Sequence, residues 1–545
     1  MNSLSSPGTR ILGQFRSTGA PPVQRLYLLT VASEALAVRQ CTYQMPTNPD
    51  IHHMNVTSRR NSSNECNRVQ LKKWLALAFL FIGPACYAQS ATINWANVHQ
   101  VIDGFGAADA NEAGTNQELT SAQVSFFFGT GAGQLGFSIM RVRLPNNSTG
   151  PDAGSCATVN SACVGTLMTD YAAAVAAGVR IYASAWSPPA AYTTNGSTEC
   201  GAGSGNGQLA TGSYANFATW LANFVQSWQT YEGASPYAIS VQNEPDECGA
   251  FTSTEYSAAQ FDSFIKNNLG PTFSSNGLST LIFMPEVNRY SDLAGYGSTC
   301  ATDSSCSAYL GGVNWHEYDA NVSSSYVVND TPYPSGWASG KRYWETEASC
   351  LSGGPNFCSS SFDPSMTNAL NWAAVIDQRL AADNANAWLY WWFLIPSTAN
   401  NGEGLMTTDT GVTAKRAYVM GQYSRFIRPG YLRIDATHKP QAGVSVSAYQ
   451  DTPSNTLVIV ATNYTASPIT QTFNVVNAPT FTNVAPYLTS ATQNIQAQPT
   501  QAVSSNSFTY TLPADSVTTF VGASSSSTTS STIIAPPSNL RLLVN

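Results

Sequence analysis

Ala238-Ile-Ser-Val-Gln-Asn-Glu-Pro245 is the stretch on which the fold turns. A short strand-like run passes into an Asn-Glu pair, and Pro245, which has no backbone N–H, prevents simple continuation of a ladder. A carboxyl group is thereby delivered at the end of a strand. A second such unit is Arg342-Tyr-Trp-Glu-Thr-Glu347, followed by Ala348. Working outward, further apolar runs fall at Ile102–Ala107, Phe137–Leu144, Val179–Trp186, Leu281–Val287, Val313–Tyr318 and Ala387–Leu394. With Ala238–Asn243 and Arg342–Glu347 they make eight predicted strands. Amphipathic stretches lie between them, the clearest placing Tyr214, Phe217, Trp220, Leu221, Phe224 and Trp228 at helical spacing. Those aromatics read as helix-to-barrel packing. The alternation predicts an α/β fold, a (β/α)8 TIM barrel over 101–428 with functional groups at the C-terminal strand ends.

Residues 429–522 lose the helical pattern. Runs such as Leu457-Val-Ile-Val460 and Phe508-Thr-Tyr-Thr-Leu512 between turn residues predict a small antiparallel β-sandwich side domain. A Ser/Thr linker covers 523–535, and 536–545 reads as the start of a truncated β-module. At the other end, Lys72-Lys73, the apolar run Trp74–Ile82 and Cys86-Tyr-Ala88 have the order of a secretory signal over 71–88, cleaved near Ala88. A secreted or periplasmic product is expected. Residues 1–70 are read as a non-native or disordered extension, with Met54 the favoured initiator.

Charged residues make up 10% of the 545 and the net charge is −8. Beyond residue 88 the balance is 15 Lys/Arg against 29 Asp/Glu, a net of −14, so nucleic acid is a poor partner. The abundant Gly, Ser, Thr and Asn suit a neutral, hydroxyl-rich ligand. Eight cysteines follow the leader, an even number, and predict disulfides 156/163, 300/306, 350/358 and 200/248. No Cys/His spacing suggests zinc, and neither a metal nor a cofactor is expected. The predicted partner is a polysaccharide, without stable membrane association, and the chain is expected to be a monomer.

Two carboxyl groups at neighbouring strand ends are what glycoside hydrolysis requires. Glu244 is the candidate acid/base: burial beside a second carboxylate should keep its proton to higher pH. An isolated Asn-Glu-Pro reads equally well as a salt-bridged strand end. Glu345 and Glu347 should share one strand face, with Glu345 deeper and supporting, and Glu347 the candidate nucleophile. Arg141 and Arg143 share a face, and an inward guanidinium must be paired; Glu347 is the obvious partner, which would hold it ionised. Arg141, Asn243, His316 and Tyr318 are candidate donors to a sugar, and Trp186, Trp391 and Trp392 candidate stacking platforms, although one of the adjacent tryptophans should be core. Glu286 is given no role.

These residues resemble glycoside hydrolase family 30, a clan A family of retaining hydrolases. The matching segments, in order, include Gly104-Phe-Gly106, Ser138-Ile-Met-Arg-Val-Arg143, Ala185-Trp-Ser-Pro-Pro189, Gln242-Asn-Glu-Pro245, His316-Glu-Tyr318, Thr346-Glu-Ala348, Tyr390-Trp-Trp392 and Gly421-Gln-Tyr-Ser-Arg-Phe-Ile-Arg-Pro-Gly-Tyr431. The resemblance runs from about Gly104 to Val521. It implies Glu244 on the fourth barrel strand as acid/base, Glu347 on the seventh as nucleophile, and a side domain that takes a strand from 89–100. Within the family the last two segments look most like bacterial xylanases of subfamily 8. Members dependent on glucuronate carry Arg just after the eighth strand. Phe393-Leu-Ile-Pro-Ser-Thr-Ala-Asn-Asn-Gly-Glu-Gly404 has none. An endo-β-1,4-xylanase indifferent to glucuronate is therefore expected; the alternatives are a β-1,6-galactanase, a β-1,6-glucanase, a glucosylceramidase-like enzyme, or a carbohydrate-binding protein without catalysis.

Overall fold

A computed structural model describes residues 89–109, 119–144, 168–202, 206–249, 251–329, 336–351, 354–359, 361–399 and 401–524. The extension, the leader, the Cys156–Cys163 pairing, nearly all of the linker and the terminal module lie outside those residues. Strand β1 (Ser90–Val101) opens the described chain and belongs to the side domain. Eight parallel strands then close a barrel: β2 (Gly104–Asp109), β3 (Ile139–Leu144), β4 (Arg180–Ala185), β5 (Ala238–Ser240), β6 (Leu281–Val287), β7 (Leu310–His316), β8 (Arg342–Glu347) and β9 (Ala387–Ile395). Each pairs with the next, and β9 returns to β2. A short β10 (Gly404–Thr407) adds to β9.

The helices cover the barrel because each has one apolar face. On Tyr214–Glu232 the six predicted aromatic and aliphatic residues are all buried, and Gly233 ends the helix at φ 75°, a left-handed position that suits glycine. Alternation along the strands sorts the interior. Ile139, Tyr182, Phe283, Trp344 and Leu389 form an apolar layer, and the polar residues Arg141, Ser184, Asn314 and His316 lie nearer the C-terminal strand ends. The predicted strand Ala238–Asn243 is ladder-paired only to Ser240. Beyond it Asn243 N–H donates to Ala185 O (2.7 Å) and Glu244 N–H to Glu286 O (2.9 Å), which tie this segment to both neighbouring strands.

The side domain uses β11 (Leu432–Ala436), β12 (Val444–Asp451), β13 (Thr456–Asn463), β14 (Ile469–Val476), β15 (Asn483–Thr489), β16 (Gln496–Ala497), β17 (Gln501–Ala502), β18 (Ser507–Leu512) and β19 (Ser516–Ala523). One pair departs from the antiparallel expectation. β1 runs antiparallel to β11 and parallel to β14, so this sheet is mixed. A strand from the chain start, inserted between two later ones, is under no hairpin constraint on direction. The two halves fold over Phe473, Phe508 and Phe520, the last two 5.2 Å apart. The opposite face of the sheet, with Tyr449, Val458, Val460 and Val517, joins the core that runs into the barrel.

Three of the predicted disulfides are present: Cys200–Cys248, Cys300–Cys306 and Cys350–Cys358. Among the described residues no helix is long and apolar enough to cross a membrane.

Candidate active site

The ends of β3 to β9 converge on Glu244 and Glu347. Glu244 takes φ 45° and Glu286 φ 59°, left-handed conformations that non-glycine residues rarely hold without support. Both occur where the chain leaves a strand. Oxygen atoms of Glu244 and Glu347 lie within 4.8 Å of each other and of a His316 ring nitrogen. The close spacing suits double displacement; an inverting pair stands roughly 6.5–9.5 Å apart to admit a water.

Arg141 is wholly buried and binds four groups at once. Its Nη1 pairs with Glu347 Oε2, Nη2 reaches Asn243 Oδ1 (2.6 Å) and Glu286 Oε1 (3.1 Å), and Nε donates to Ser184 Oγ (3.2 Å). Tyr318 donates its hydroxyl to Glu347 Oε1 at 2.5 Å. His316 Nδ1 stands 2.9 Å from Glu244 Oε1, and Nε2 is 3.7 Å from Glu347 Oε2. Asn288, at the end of the fifth barrel strand, donates to Glu244 Oε1 at 2.7 Å. Glu286 sits beneath both catalytic candidates and accepts from Tyr182 (2.8 Å) and Ser184 (2.9 Å).

Three carboxylates and two cations therefore share one buried cluster. Burial disfavours the cation at His316, but the charge of Glu347, the hydrogen bond with Glu244 and the Glu286 carboxylate 3.8 Å away push its pKa up to about 10. Burial pushes Glu286 up, yet Arg141 and His316 outweigh it and hold the carboxyl at about 2. For Glu244 the expected rise does not occur. Burial acts in that direction, but the hydrogen bond and charge of His316 and the bond from Asn288 bring the pKa below its ordinary value. Glu347 moves the other way, because burial and repulsion from Glu244 exceed the pull of His316 and Arg141. With all three carboxylates ionised the cluster is one charge short of neutral. It has room for one proton, held by the Glu244–Glu347 pair as a coupled unit.

A cavity of about 300 Å³ opens over the pair, lined by Trp186, Asn243, Glu244, Tyr318, Glu347 and Trp391 together with Glu247, Phe251, Asn288, Leu351 and Glu403. Arg141 and His316, expected to touch substrate, lie behind the carboxylates with no exposed surface. They orient the carboxylates; they do not line the cleft. Asn243 gives its Oδ1 to Arg141 and keeps its amide N–H groups for other partners. Trp186 and Trp391 stack on each other at 5.8 Å with the Arg141 guanidinium over both, and their exposure of 4% and 5% leaves a narrow wall in place of an open platform. Trp392 does not line the cavity. A register shift between β2 and β9 after Tyr390 lets it stack behind Trp391 at 5.1 Å, so successive residues share a cluster where strict alternation would have separated them.

The expectation for Glu345 is also corrected. Trp344 occupies the barrel interior, so Glu345 faces the opposite way, toward the ion pair of Glu317 with Arg379 on the helix Met366–Ala381. Its carboxylate accepts backbone N–H from Glu347 (2.8 Å) and Leu389 (2.9 Å). A register shift between the Trp315/Glu345 and His316/Glu347 pairs brings Glu347 alone to the mouth. Sequence reasoning noticed Glu286 without giving it a role, and missed Asn288, Glu403 and the exposed apolar pair Phe251 (45%) and Leu351 (41%). Only the polar end of Leu281–Val287-Asn288 offered a signal, that of a barrel strand ending in a functional group.

Residues 166–337 match the family model of the glycosyl hydrolase family 30 TIM-barrel domain. The chain is 32% identical over 440 residues to glucuronoxylanase XynC of Bacillus subtilis (strain 168), covering 80% of this chain and 92% of that one. The family 30 subfamily 8 xylanase Xyn30A from Clostridium acetobutylicum superposes with a TM-score of 0.67 at 32% identity, over 80% of this chain and all of that one. A family 30 endoxylanase from Clostridium papyrosolvens C71 gives 0.65 at 30% identity, over 80% of this chain and all of its own. The chain belongs to glycosyl hydrolase family 30 and is a glycoside hydrolase.

Proposed function

We propose that this chain is a secreted, retaining endo-β-1,4-xylanase that does not require glucuronate side chains. The observation that carries the mechanism is the approach of Glu244 and Glu347 to within 4.8 Å. A xylan chain lies across the cavity with its glycosidic oxygen at Glu244 and the anomeric carbon at Glu347. Glu347 attacks that carbon as Glu244 gives its proton to the departing oxygen, and a glycosyl ester forms on Glu347. Esterification removes the charge of Glu347. The repulsion that favoured a proton on the pair is gone, so Glu244 is left ionised and takes a proton from the incoming water, whose oxygen releases the sugar with net retention. Arg141 and Tyr318, both bonded to Glu347, hold its oxygens in place through both steps.

Substrate class follows from the relatives and from the cleft's charge. Glucuronoxylanase and endoxylanase relatives at 30–32% identity favour xylan. The cavity lining holds four glutamates and, among the described residues, neither lysine nor arginine. Glu403 stands in the loop that follows the eighth strand, so a uronate entering there meets like charge. Reducing-end release from linear xylan, arabinoxylan, glucuronoxylan and β-1,6-galactan, assayed side by side, tests the proposal. Release from linear xylan and arabinoxylan is expected. Activity confined to glucuronoxylan would overturn the charge argument, and no release from any xylan would overturn the substrate class.

A further inference from the structure

The opposite end of the barrel holds a second hollow, of about 580 Å³, with the reverse charge. Its lining includes Arg180, Arg342, Tyr237, Ser235 and Ser279, and no carboxylate. Arg180 and Arg342 are the first residues of β4 and β8, so the hollow lies at the N-terminal strand ends, away from the catalytic cleft. One carboxylate serves both cations. Asp103, 2% exposed, accepts from Arg180 Nη1 (3.2 Å), Trp344 Nε1 (2.9 Å) and the Tyr237 hydroxyl (3.3 Å), and forms an ion pair with Arg342 Nε (2.9 Å). Its acceptor capacity is spent. Two positive charges against one leave the hollow net cationic in a protein of net charge −8.

The guanidinium groups are also held in place. Arg180 lies over the Tyr237 ring at 4.4 Å and Arg342 at 5.9 Å, and Tyr237 in turn stacks on Trp344 with the planes 6° apart. Both side chains are partly exposed, 29% and 40%, and their remaining N–H donors have no acceptor among the described residues. A preorganised pair of guanidinium forks matches a carboxylate better than a neutral sugar. The volume is within the range that accepts a small ligand, roughly 300–1,000 Å³, and Ser235 and Ser279 add hydroxyls suited to a sugar.

We propose that this hollow is a second, non-catalytic carbohydrate site that binds the carboxylate of a uronic acid on the polysaccharide substrate; the assignment of that substrate rests on the xylanase reading above. The two ends of the barrel then divide the polymer by charge. Uronate-bearing units are held at the cationic end, and bare stretches enter the acidic cleft.

The test measures binding of glucuronosyl-xylose, xylobiose and inorganic phosphate by calorimetry to the mature chain and to two variants. Ser279→Glu adds a carboxylate at an exposed residue with no structural partner, and Arg342→Gln removes one cation. Glucuronosyl-xylose is expected to bind with a Kd on the order of 1 mM, weakened roughly tenfold or more by Ser279→Glu and by Arg342→Gln. Xylobiose binding and turnover of linear xylo-oligosaccharides should not change in Ser279→Glu, which also guards against misfolding of the arginine variant. Glucuronosyl-xylose affinity that is absent, or unmoved by Ser279→Glu, overturns the proposal. Phosphate binding that exceeds that of the uronate also overturns it, and reduces the hollow to a general anion site. Failure of xylan turnover in the unaltered protein would sink the xylanase reading, and loss of the binding effect with turnover intact sinks only this one.

Discussion

Replacing Glu347 with Gln removes one of two like charges whose oxygens come within 4.8 Å. At an effective dielectric of about 20, that separation corresponds to about 3.5 kcal/mol, roughly 2.5 pKa units. In the unaltered protein the Glu244–Glu347 pair should take up its first proton at an apparent pKa at least that far above the value of Glu244 alone in Glu347→Gln. The assay is a ¹³C titration of glutamate side-chain carboxyls, with Glu244→Gln used to assign the resonance. Turnover should fall by a factor on the order of 10⁴ or more, since the proposed nucleophile is gone. A gap below about half a unit would refute the coupling on which the acid-then-base behaviour of Glu244 depends. It would mean that Arg141 and His316 screen the two carboxylates from each other fully.

Three further outcomes are expected. Arg141→Lys keeps the charge but offers one point in place of a fork that spans Glu347, Glu286, Asn243 and Ser184; kcat should fall about 10²-fold with KM nearly unchanged, and a loss of thermal stability alone would show that Arg141 does not position the nucleophile. Asp246 is raised from 3.8 to about 7, chiefly by burial and despite the backbone N–H of Asn288. A raised carboxyl contributes stability that is full below its ordinary pKa and is lost as pH rises through about 7, so Asp246→Asn should flatten the decline in Tm between pH 4 and 8 by an amount worth a few kcal/mol at most. Parallel Tm profiles in the two proteins would contradict this. Cys200–Cys248 spans 48 residues, for which loop-closure entropy gives about 4 kcal/mol. Reduction should destabilise the cleft wall that carries Phe251 before it unfolds the barrel, read as faster amide exchange over 198–255; uniform exchange would exclude a local role.

Much of this was legible before any coordinate. Each barrel strand is apolar because it is buried on both faces, and each helix repeats its apolar residues because one face packs inward. Those periodicities are written locally, so the eight strands, the packing helix Tyr214–Glu232 and the strand-end positions of Glu244 and Glu347 could be read directly. Cys200–Cys248 was found by elimination among close pairs. Alternation failed wherever a register shift intervened. Glu345 was placed beside Glu347, and Trp392 opposite Trp391, because a shift of one residue reverses a side chain's face and leaves no mark on composition.

The sequence by itself determined which residues form the barrel and that two carboxyl groups end two of its strands, since hydrophobic period and proline chemistry act over a few residues. Only the tertiary structure decided what those carboxyls are. Their separation, the third carboxylate Glu286 below them, the bond from Asn288, and the charge of His316 that lowers Glu244 against expectation all arise between residues 40 or more positions apart. A pKa is set by the field of whatever lies within a few ångströms, and that neighbourhood exists only once the strands have closed into a ring.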